Sequence, residues 1–179
     1  MLERLRTAIG IQRARFHFRK WEDEIIPFAG AISESQRVLL ILPLDGSPLY
    51  PVAPLITMLR SRKREEDITV VVSAHTTEAL DALQRCPVVR VLPSEVSTLF
   101  LPSKNVLTRV LQYKCDVAID LNLDFHLPSG YICRESKARY RIGFVGKRSD
   151  LFYNLQIQTA ETESRTVRYE RLAKCLEMF

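Results

Sequence analysis

The sequence predicts an α/β fold, in which a mainly parallel sheet carries helices on both faces. Short apolar, β-branched runs recur along the chain and alternate with segments whose apolar residues follow helical spacing. The first run, residues 38–42, is apolar throughout, which is typical of a strand buried on both faces. A turn-rich segment, residues 43–51, follows it, and helical spacing begins at Val52. Strand, loop and helix in this order form the first half of a βαβ unit.

The rest of the chain repeats this alternation. The predicted strands span residues 38–42, 68–72, 88–92, 116–121, 141–145 and 155–158. Helices are predicted at residues 2–20, from 52 into the charge run 60–66, at 77–85 after Thr76, after Ser103, in part at 125–134, and at 161–177. Strands that alternate with helices favour a parallel sheet covered on both sides.

The length of 179 residues is enough for one domain with a buried core. We divide the chain into residues 1–36, a basic amphipathic helix and a linker, and residues 37–179, the α/β domain. A content of 46% hydrophobic and 26% charged residues is typical of soluble globular proteins. No apolar run reaches the length of a membrane span, and the N-terminus is too charged for a secretory signal.

Cysteine spacing bears on the compartment. The four cysteines are far apart and form no Cys-x-x-Cys pair: Cys86, Cys115, Cys133 and Cys175. This spacing argues against a disulfide framework and against a zinc site, and we expect buried free thiols. A reducing compartment, the cytoplasm, is therefore predicted.

The basic excess is concentrated at the N-terminus. The net charge is +5, and residues 1–20 contain six Arg and Lys side chains against the single acid Glu3. At 100° per residue one narrow apolar stripe forms on the helix: Leu2, Leu5, Ile9 and Phe16. Two interpretations are open. Residues 2–20 dock on an anionic membrane surface, or the helix packs its stripe on its own domain or on a partner.

Several classes of function are disfavoured by what the first loop lacks. Its only glycine is Gly46, so neither the G-x-G-x-x-G fingerprint of dinucleotide enzymes nor a phosphate-binding P-loop is present, and we predict no cofactor. The clustered acids of a receiver domain are also missing. No interleaved aromatic pattern suggests base stacking, so no specific nucleic-acid partner is predicted. The basic excess leaves nonspecific nucleic-acid binding as a weaker hypothesis.

The acidic candidates lie where ligands bind in open α/β sheets, at the carboxyl ends of the strands. Asp45 is in the first loop, where it either serves as a general base or hydrogen-bonds its own backbone ahead of Gly46. Asp120 ends the fourth predicted strand, where it binds a sugar hydroxyl or caps the following turn.

The basic candidates lie further along the same edge. His126 follows Asp120 within one short loop and is either catalytic or structural. Lys147 and Arg148, together with Arg139 and Arg141, form a basic cluster that holds a phosphate or carboxylate, or is a plain surface patch.

From residue 37 to residue 179 the chain resembles a known family. The resemblance rests on Val-Ala-Pro-Leu-Ile after the first loop, Cys-Asp-Val-Ala-Ile-Asp-Leu-Asn, Arg-Ile-Gly-Phe, Leu-Phe-Tyr-Asn and the last helix Val-Arg-Tyr-Glu-Arg-Leu-Ala-Lys-Cys-Leu-Glu. In order and spacing these segments are similar to the N-terminal half of glycosyltransferase family 9, the ADP-heptose:lipopolysaccharide heptosyltransferases. The resemblance implies one half of a GT-B fold, made of two Rossmann-like domains, and inverting sugar transfer without an essential metal.

Two departures from the family affect the expected activity. The family's first loop carries a Gly-Asp pair whose aspartate is the proposed base, and this pair falls on Ser47 and Pro48. Asp45, three positions before Pro48, is then the remaining candidate for the base. The sequence also ends at Phe179, where the family's interdomain linker begins, so we expect no transfer from this chain without a donor domain.

The resulting expectation is a heptosyltransferase-like acceptor domain at the inner face of the inner membrane, acting on a lipopolysaccharide-type acceptor together with a separate donor-domain chain. The alternative is a non-catalytic binding module with the same fold. Asp45 is the predicted catalytic residue. The predicted acceptor-binding residues are Gly46, Ser47, Asp120, Asn122, His126, Lys147 and Arg148.

Overall fold

A computed structural model of the chain describes residues 2–23, 27, 30, 32–76, 83 and 85–178. Within these residues six strands form one sheet in which every neighbouring pair is parallel, in the order β3-β2-β1-β4-β5-β6. The strands are β1 (Val38–Ile41), β2 (Ile68–Ser73), β3 (Val88–Val91), β4 (Val117–Asp120), β5 (Tyr140–Phe144) and β6 (Leu155–Ile157). This is the strand order of the doubly wound Rossmann fold, so the prediction of a Rossmann-like sheet is confirmed.

Helices cover both faces of the sheet. They are α1 (Leu2–Phe18), α2 (Ala53–Arg62), α3 (Lys104–Leu111), α4 (Leu127–Glu135) and α5 (Arg165–Glu177). The side chains of α2 and α5 share one apolar cluster with Val38 and Leu40 of β1. Those of α3 and α4 share the second cluster with Leu39 and Ile41. Because alternate residues of β1 enter opposite clusters, the whole strand is apolar, as expected for a strand buried on both faces.

Local signals explain where the helices begin. The Ser103 side chain accepts a hydrogen bond from the backbone N–H of Val106 and caps α3 as predicted. Pro128 lies in the first turn of α4, where its missing N–H breaks no helical hydrogen bond, so the helix runs on to Glu135. Most of the helix predicted at residues 77–85 lies outside the described residues.

The packed face of α1 differs from the apolar stripe in the sequence. Its buried residues are Gly10, Ile11, Ala14 and Phe18, which pack in the same cluster as α4. The predicted stripe of Leu2, Leu5, Ile9 and Phe16 is exposed on the opposite side of the helix. Packing of that stripe on the chain's own domain is therefore not observed. At Gly10 the packed face lies so close to the backbone of Leu99 that an added Cβ would be 2.1 Å from its carbonyl oxygen.

The strand order creates a switch point between β1 and β4. The chain leaves β1 towards β2 on one side, while β4 pairs with β1 on the other side, with Ile41 opposite Asp120. The connections after β1 and β4 therefore diverge at the carboxyl edge of the sheet, and crevices at such points bind ligands in open α/β proteins.

Two further findings concern the membrane and the cysteines. None of the helices in the described part of the chain is both long enough and apolar enough to cross a bilayer. Cys86, Cys115 and Cys133 are buried free thiols, as predicted, whereas Cys175 is half-buried.

Candidate functional site

Two adjoining cavities at the carboxyl edge of the sheet form the candidate site, which we call the carboxyl-edge cleft. The first cavity has a volume of about 210 Å³ and is lined by Gly46, Ser47, Pro48, Leu49, Ser73, His75 and Thr76. The second has a volume of about 220 Å³ and is lined by Leu44, Ser73, His75, Val91, Leu92, Pro93, Val96, Phe100, His126 and Pro128. Ser73 and His75 line both, so the two cavities are neighbours.

The loop after β1 forms one wall of the cleft. Asp45 is exposed, and its Oδ1 accepts a hydrogen bond from the backbone N–H of Ser47 at 2.9 Å, which is an Asx turn. Gly46 has a φ of +81° and open space around it, so glycine serves the left-handed backbone here rather than a close approach. Gly46 and Ser47 line the first cavity, whereas Asp45 is not among the described residues that line either cavity.

The charge of Asp45 is stabilised by its surroundings. Partial burial raises the pKa of its carboxyl, but the hydrogen bonds from Ser47 and the charges of Arg165 and His126 outweigh burial, and the net pKa lies below its ordinary value. Asp45 is therefore ionised at neutral pH. A lowered pKa also makes this carboxylate a weaker base than an unperturbed one.

Asp120 and Asn122 lie beneath the cleft and connect β4 to the first loop. Asp120 is fully buried, and its Oδ1 accepts hydrogen bonds from the backbone and side-chain N–H groups of Asn122 at 3.0 and 2.7 Å. The Asn122 side chain in turn accepts from the N–H of Leu44 and donates to the carbonyl of Leu42. These two polar residues thus fix the start of the loop at the switch point, and neither is among the described residues that line the two cavities.

A tyrosine from another part of the sheet completes this buried network. Tyr153 donates its hydroxyl hydrogen to Asp120 Oδ2 at 2.7 Å. Burial raises the pKa of Asp120 above its ordinary value, although the hydrogen bonds from Tyr153 and Asn122 act in the opposite direction. Burial together with the neighbouring Asp120 also raises the pKa of Tyr153 well above its ordinary range.

His126 is an ionisable residue that was predicted from the sequence and that lines the second cavity of the cleft. Burial lowers the pKa of its imidazole, while the negative charges of Asp120 and Asp45 partly counteract this effect. The imidazole is therefore neutral at neutral pH, and a neutral imidazole can accept a proton. Its Nδ1 is buried and has no hydrogen-bond partner among the described residues. An unpaired buried polar atom costs free energy, and a ligand hydroxyl in the second cavity would offer it a partner.

The predicted basic cluster is divided in the structure. Lys147 and Arg148 are exposed and line a separate groove of about 510 Å³ together with Glu3 and Arg4 of α1. Arg141 is buried, where it contacts Asp23 and donates to the carbonyls of Phe152 and Ala138. Arg141 therefore belongs to the core of the protein and not to a surface cluster.

Two residues that line both cavities, Ser73 and His75, are not among the site residues predicted from the sequence. Both follow β2 directly, at the same edge of the sheet as Asp45. The rule that ligands bind at the carboxyl ends of parallel strands, applied to β2 as well as to β1 and β4, points to them.

The chemistry available in the cleft is that of hydroxyl, imidazole and backbone groups beside an apolar wall. Such a lining suits a polar ligand that carries several hydroxyl groups and an apolar face, as a sugar does. Within the described part of the chain, no group of three or more His, Cys, Asp or Glu side chains is placed to hold a metal ion.

Comparisons with known proteins do not extend this description. No protein-family model matches the chain, and no curated protein and no solved structure matches it. The class that the fold defines is therefore a Rossmann-like α/β protein with a cleft at its topological switch point.

Proposed function

We propose that the chain is an acceptor-side glycosyltransferase domain similar to those of family 9, and that it binds a sugar-containing acceptor of the lipopolysaccharide type in the carboxyl-edge cleft. The observation that carries this proposal is the cleft itself. Its first cavity is lined by the loop after β1, and its second cavity is lined by Leu44 after β1 and by His126 after β4, the two strands of the switch point. The family resemblance concerns this same strand, loop and helix.

In the proposed reaction a base takes the proton from an acceptor hydroxyl, whose oxygen attacks the anomeric carbon of a nucleotide sugar. The bond from that carbon to the diphosphate breaks, and the nucleoside diphosphate leaves with the electron pair. Stabilising the leaving diphosphate requires cationic or dipolar groups of a donor domain. We therefore expect no transfer from these 179 residues unless a donor domain is supplied.

Two groups are candidates for the base. Asp45 is ionised and lies in the loop, but it accepts a hydrogen bond from Ser47 and would have to turn towards the cleft. His126 already lines the second cavity, and its lowered pKa favours the neutral, proton-accepting form. We propose Asp45 as the base, because it is the carboxylate nearest to Pro48, the position on which the family's aspartate falls, and we propose His126 as an acceptor-binding residue.

The first test is acceptor binding, measured by titration calorimetry with a lipopolysaccharide inner-core oligosaccharide. Ser47→Phe fills the first cavity and is expected to weaken binding by at least about tenfold, since a blocked cavity loses most contacts. Thr108→Phe, at an exposed position on α3, is the matched control and should bind as the wild type does. Absence of binding by the wild type, or full binding by Ser47→Phe, contradicts the proposed acceptor site.

The second test is transfer from ADP-heptose after a family 9 donor domain has been added. Asp45→Asn should lower the rate by about 10²- to 10⁴-fold, the usual contribution of general base catalysis. Asp67→Asn, whose carboxylate pairs with Arg64 at the opposite edge of the sheet, is the control. Loss of activity in His126→Gln with full activity in Asp45→Asn would assign the base to the imidazole and refute the role of Asp45.

One observation favours a second candidate, a non-catalytic sugar-binding module. The Asp45 carboxylate is engaged by the backbone of Ser47 and lies outside the lining of both cavities. If the chain is such a module, it binds the oligosaccharide, but no transfer is detected with the wild type even when a donor domain is added. Asp45→Asn and His126→Gln then give the same result as the wild type.

A further inference from the structure

The outer face of α1 combines exposed apolar side chains with arginines. Three of the apolar residues are more than half exposed: Leu2 at 68%, Leu5 at 60% and Phe16 at 65%, and Ile9 follows at 43%. They lie on the side of the helix that points away from Gly10, Ile11, Ala14 and Phe18. A helix that is apolar on two opposite sides has more apolar surface than its own domain can cover.

The position of α1 is well determined by the domain. A Cβ at Gly10 would lie 2.1 Å from the carbonyl oxygen of Leu99, so the helix is in close contact with that backbone. At the other end His17 contacts Glu135 of α4 at 3.0 Å, and the ring of Phe18 packs against that of Tyr131. The exposed face is therefore held outward by packing on the inner face, and α1 is not free to turn it inwards.

Arginines border the apolar stripe along its length. Arg6 and Arg13 lie on one side, and Arg15 and Arg19 on the other. Within the residues that the structure describes, none of these four pairs with an acidic side chain. The Arg19 guanidinium lies 4.1 Å from the centre of the Phe16 ring, so cation and stripe are in direct contact.

We propose that this face of α1 docks on the surface of an anionic lipid bilayer. An interfacial helix buries its apolar side chains at the boundary of headgroups and acyl chains, while the arginine stems run along the helix and place the guanidinium groups among the lipid phosphates. Each cation near an anionic surface adds to the attraction. The central apolar stripe matches the acyl-chain boundary of such a surface, and the two flanking rows of arginines match its phosphate headgroups.

The arginines of this face argue against a second copy of the chain or a nucleic acid as its partner. In a symmetric dimer through this face, the arginine rows of the two copies would come together, since such an interface pairs a patch with itself. Nucleic acid would use the arginines but would leave the central apolar side chains in water, because phosphate contacts need cations and hydrogen-bond donors. An anionic bilayer uses the apolar and the basic residues together.

The test uses the whole chain in co-sedimentation with large vesicles of phosphatidylcholine alone or with about one third phosphatidylglycerol. The wild type should bind the anionic vesicles and not the neutral ones. Arg6→Gln together with Arg13→Gln should weaken binding by about fivefold for each arginine removed. Leu5→Ser together with Phe16→Ser should weaken it by at least about tenfold, since the buried apolar area is lost.

Matched controls separate this face from the overall charge and from unfolding. Lys104→Gln with Lys174→Gln removes the same charge from exposed positions on α3 and α5 and should leave binding within twofold of the wild type. The substituted residues on α1 are exposed, so circular dichroism and thermal unfolding should match the wild type. This test does not depend on the proposed sugar chemistry and can succeed or fail independently of it.

Three results would overturn the proposal. The first is equal binding to neutral and anionic vesicles, or to neither. The second is equal loss of binding in the lysine control. The third is a concentration-dependent dimer, or a complex with duplex DNA, that disappears in Leu5→Ser with Phe16→Ser while vesicles are not bound; it would assign the face to a second copy or to nucleic acid.

Discussion

The hydroxyl of Tyr153 donates a hydrogen bond to the fully buried carboxyl of Asp120 at 2.7 Å and thereby joins the segment before β6 to the end of β4. Asn122 supplies two further hydrogen bonds to this carboxyl and also accepts one from the N–H of Leu44 in the loop that lines the cleft. The shape of the candidate site thus depends on a residue that lies outside the cleft.

Tyr153→Phe removes one hydrogen bond from a buried acidic group without changing the shape of the core. We expect it to lower the free energy of unfolding by about 1–3 kcal/mol, because a buried oxygen of Asp120 loses a hydrogen-bond partner. Urea denaturation checks this. Tyr50→Phe, at an exposed position, is the control and should change stability by less than about 0.5 kcal/mol. Equal stability of Tyr153→Phe and wild type would mean that the hydrogen bond contributes nothing.

Asp23 accepts hydrogen bonds from two buried arginines, Arg134 at 2.6 Å and Arg141. Asp23→Ala leaves both guanidinium groups without this carboxylate. Because Asp23 itself is partly exposed to water, we expect a loss of about 2 kcal/mol, less than for a fully buried pair. Asp67→Ala, which breaks the more exposed pair with Arg64, should cost less stability than Asp23→Ala does.

The same interaction should depend on pH. Burial raises the pKa of Asp23, but the two arginines outweigh it and the net pKa lies below the ordinary value of 3.8. The stabilisation is then present above pH 3.8 and is lost as the pH falls through the lowered pKa of the folded state. The stability difference between wild type and Asp23→Ala should therefore shrink on acidification below that value. If the difference in the free energy of unfolding between wild type and Asp23→Ala stays constant even at a pH below the lowered pKa, the contact is not ionic.

His126 gives a second, separate dependence on pH. Burial lowers its pKa below the ordinary value of 6.5, so the unfolded chain takes up a proton at a higher pH than the folded protein does. Stability that is present above pH 6.5 is therefore lost as the pH falls towards the pKa of the folded state. Denaturation at a series of pH values should show that the free energy of unfolding falls less on acidification in His126→Gln than in the wild type. His75→Gln is the matched control, and an identical loss in all three proteins would rule out this contribution.

Gly10→Ala sets helix propensity against packing. Alanine favours a helix by about 1 kcal/mol over glycine, but the new Cβ would meet the Leu99 carbonyl oxygen at 2.1 Å. Backbone atoms cannot yield as a flexible side chain can, so we expect a net loss of about 1–3 kcal/mol in thermal or urea unfolding. Gln12→Ala, at an exposed position of the same helix, should leave stability unchanged or raise it slightly. A stabilised Gly10→Ala variant would show that α1 is not held against Leu99.

The strands were predictable because buried parallel strands are rich in apolar and β-branched residues: β1 is apolar throughout, and β2 is β-branched from Ile68 to Val72. The packed face of α1 was not predictable. Hydrophobic periodicity places Leu5 and Phe16 on the apolar face of the helix and gives little hydrophobic signal at Gly10 or Ala14. At Gly10 the backbone of Leu99 leaves no room for a Cβ, and Leu99 lies far from Gly10 in the sequence.

The candidate site was predictable only in its location. The position of Asp120 at the end of a strand is compatible with a side chain that faces a ligand or one that accepts buried hydrogen bonds. Tyr153, which decides between these environments, lies 33 positions along the chain and carries no sequence signal of that contact. The position of Ser73 and His75 beside the first loop likewise depends on the parallel pairing of β1 with β2.

The carboxylate of Asp23 has a consequence for where this protein can be shortened. Asp23 belongs to the N-terminal segment, yet it neutralises cations that belong to α4 and β5. A polypeptide begun at residue 37 would keep every strand but would leave two guanidinium groups enclosed without a counter-ion, and the apolar rings of Tyr131 and Phe152 uncovered. A folding unit that keeps these contacts therefore starts ahead of the sheet and includes Phe18 and Asp23.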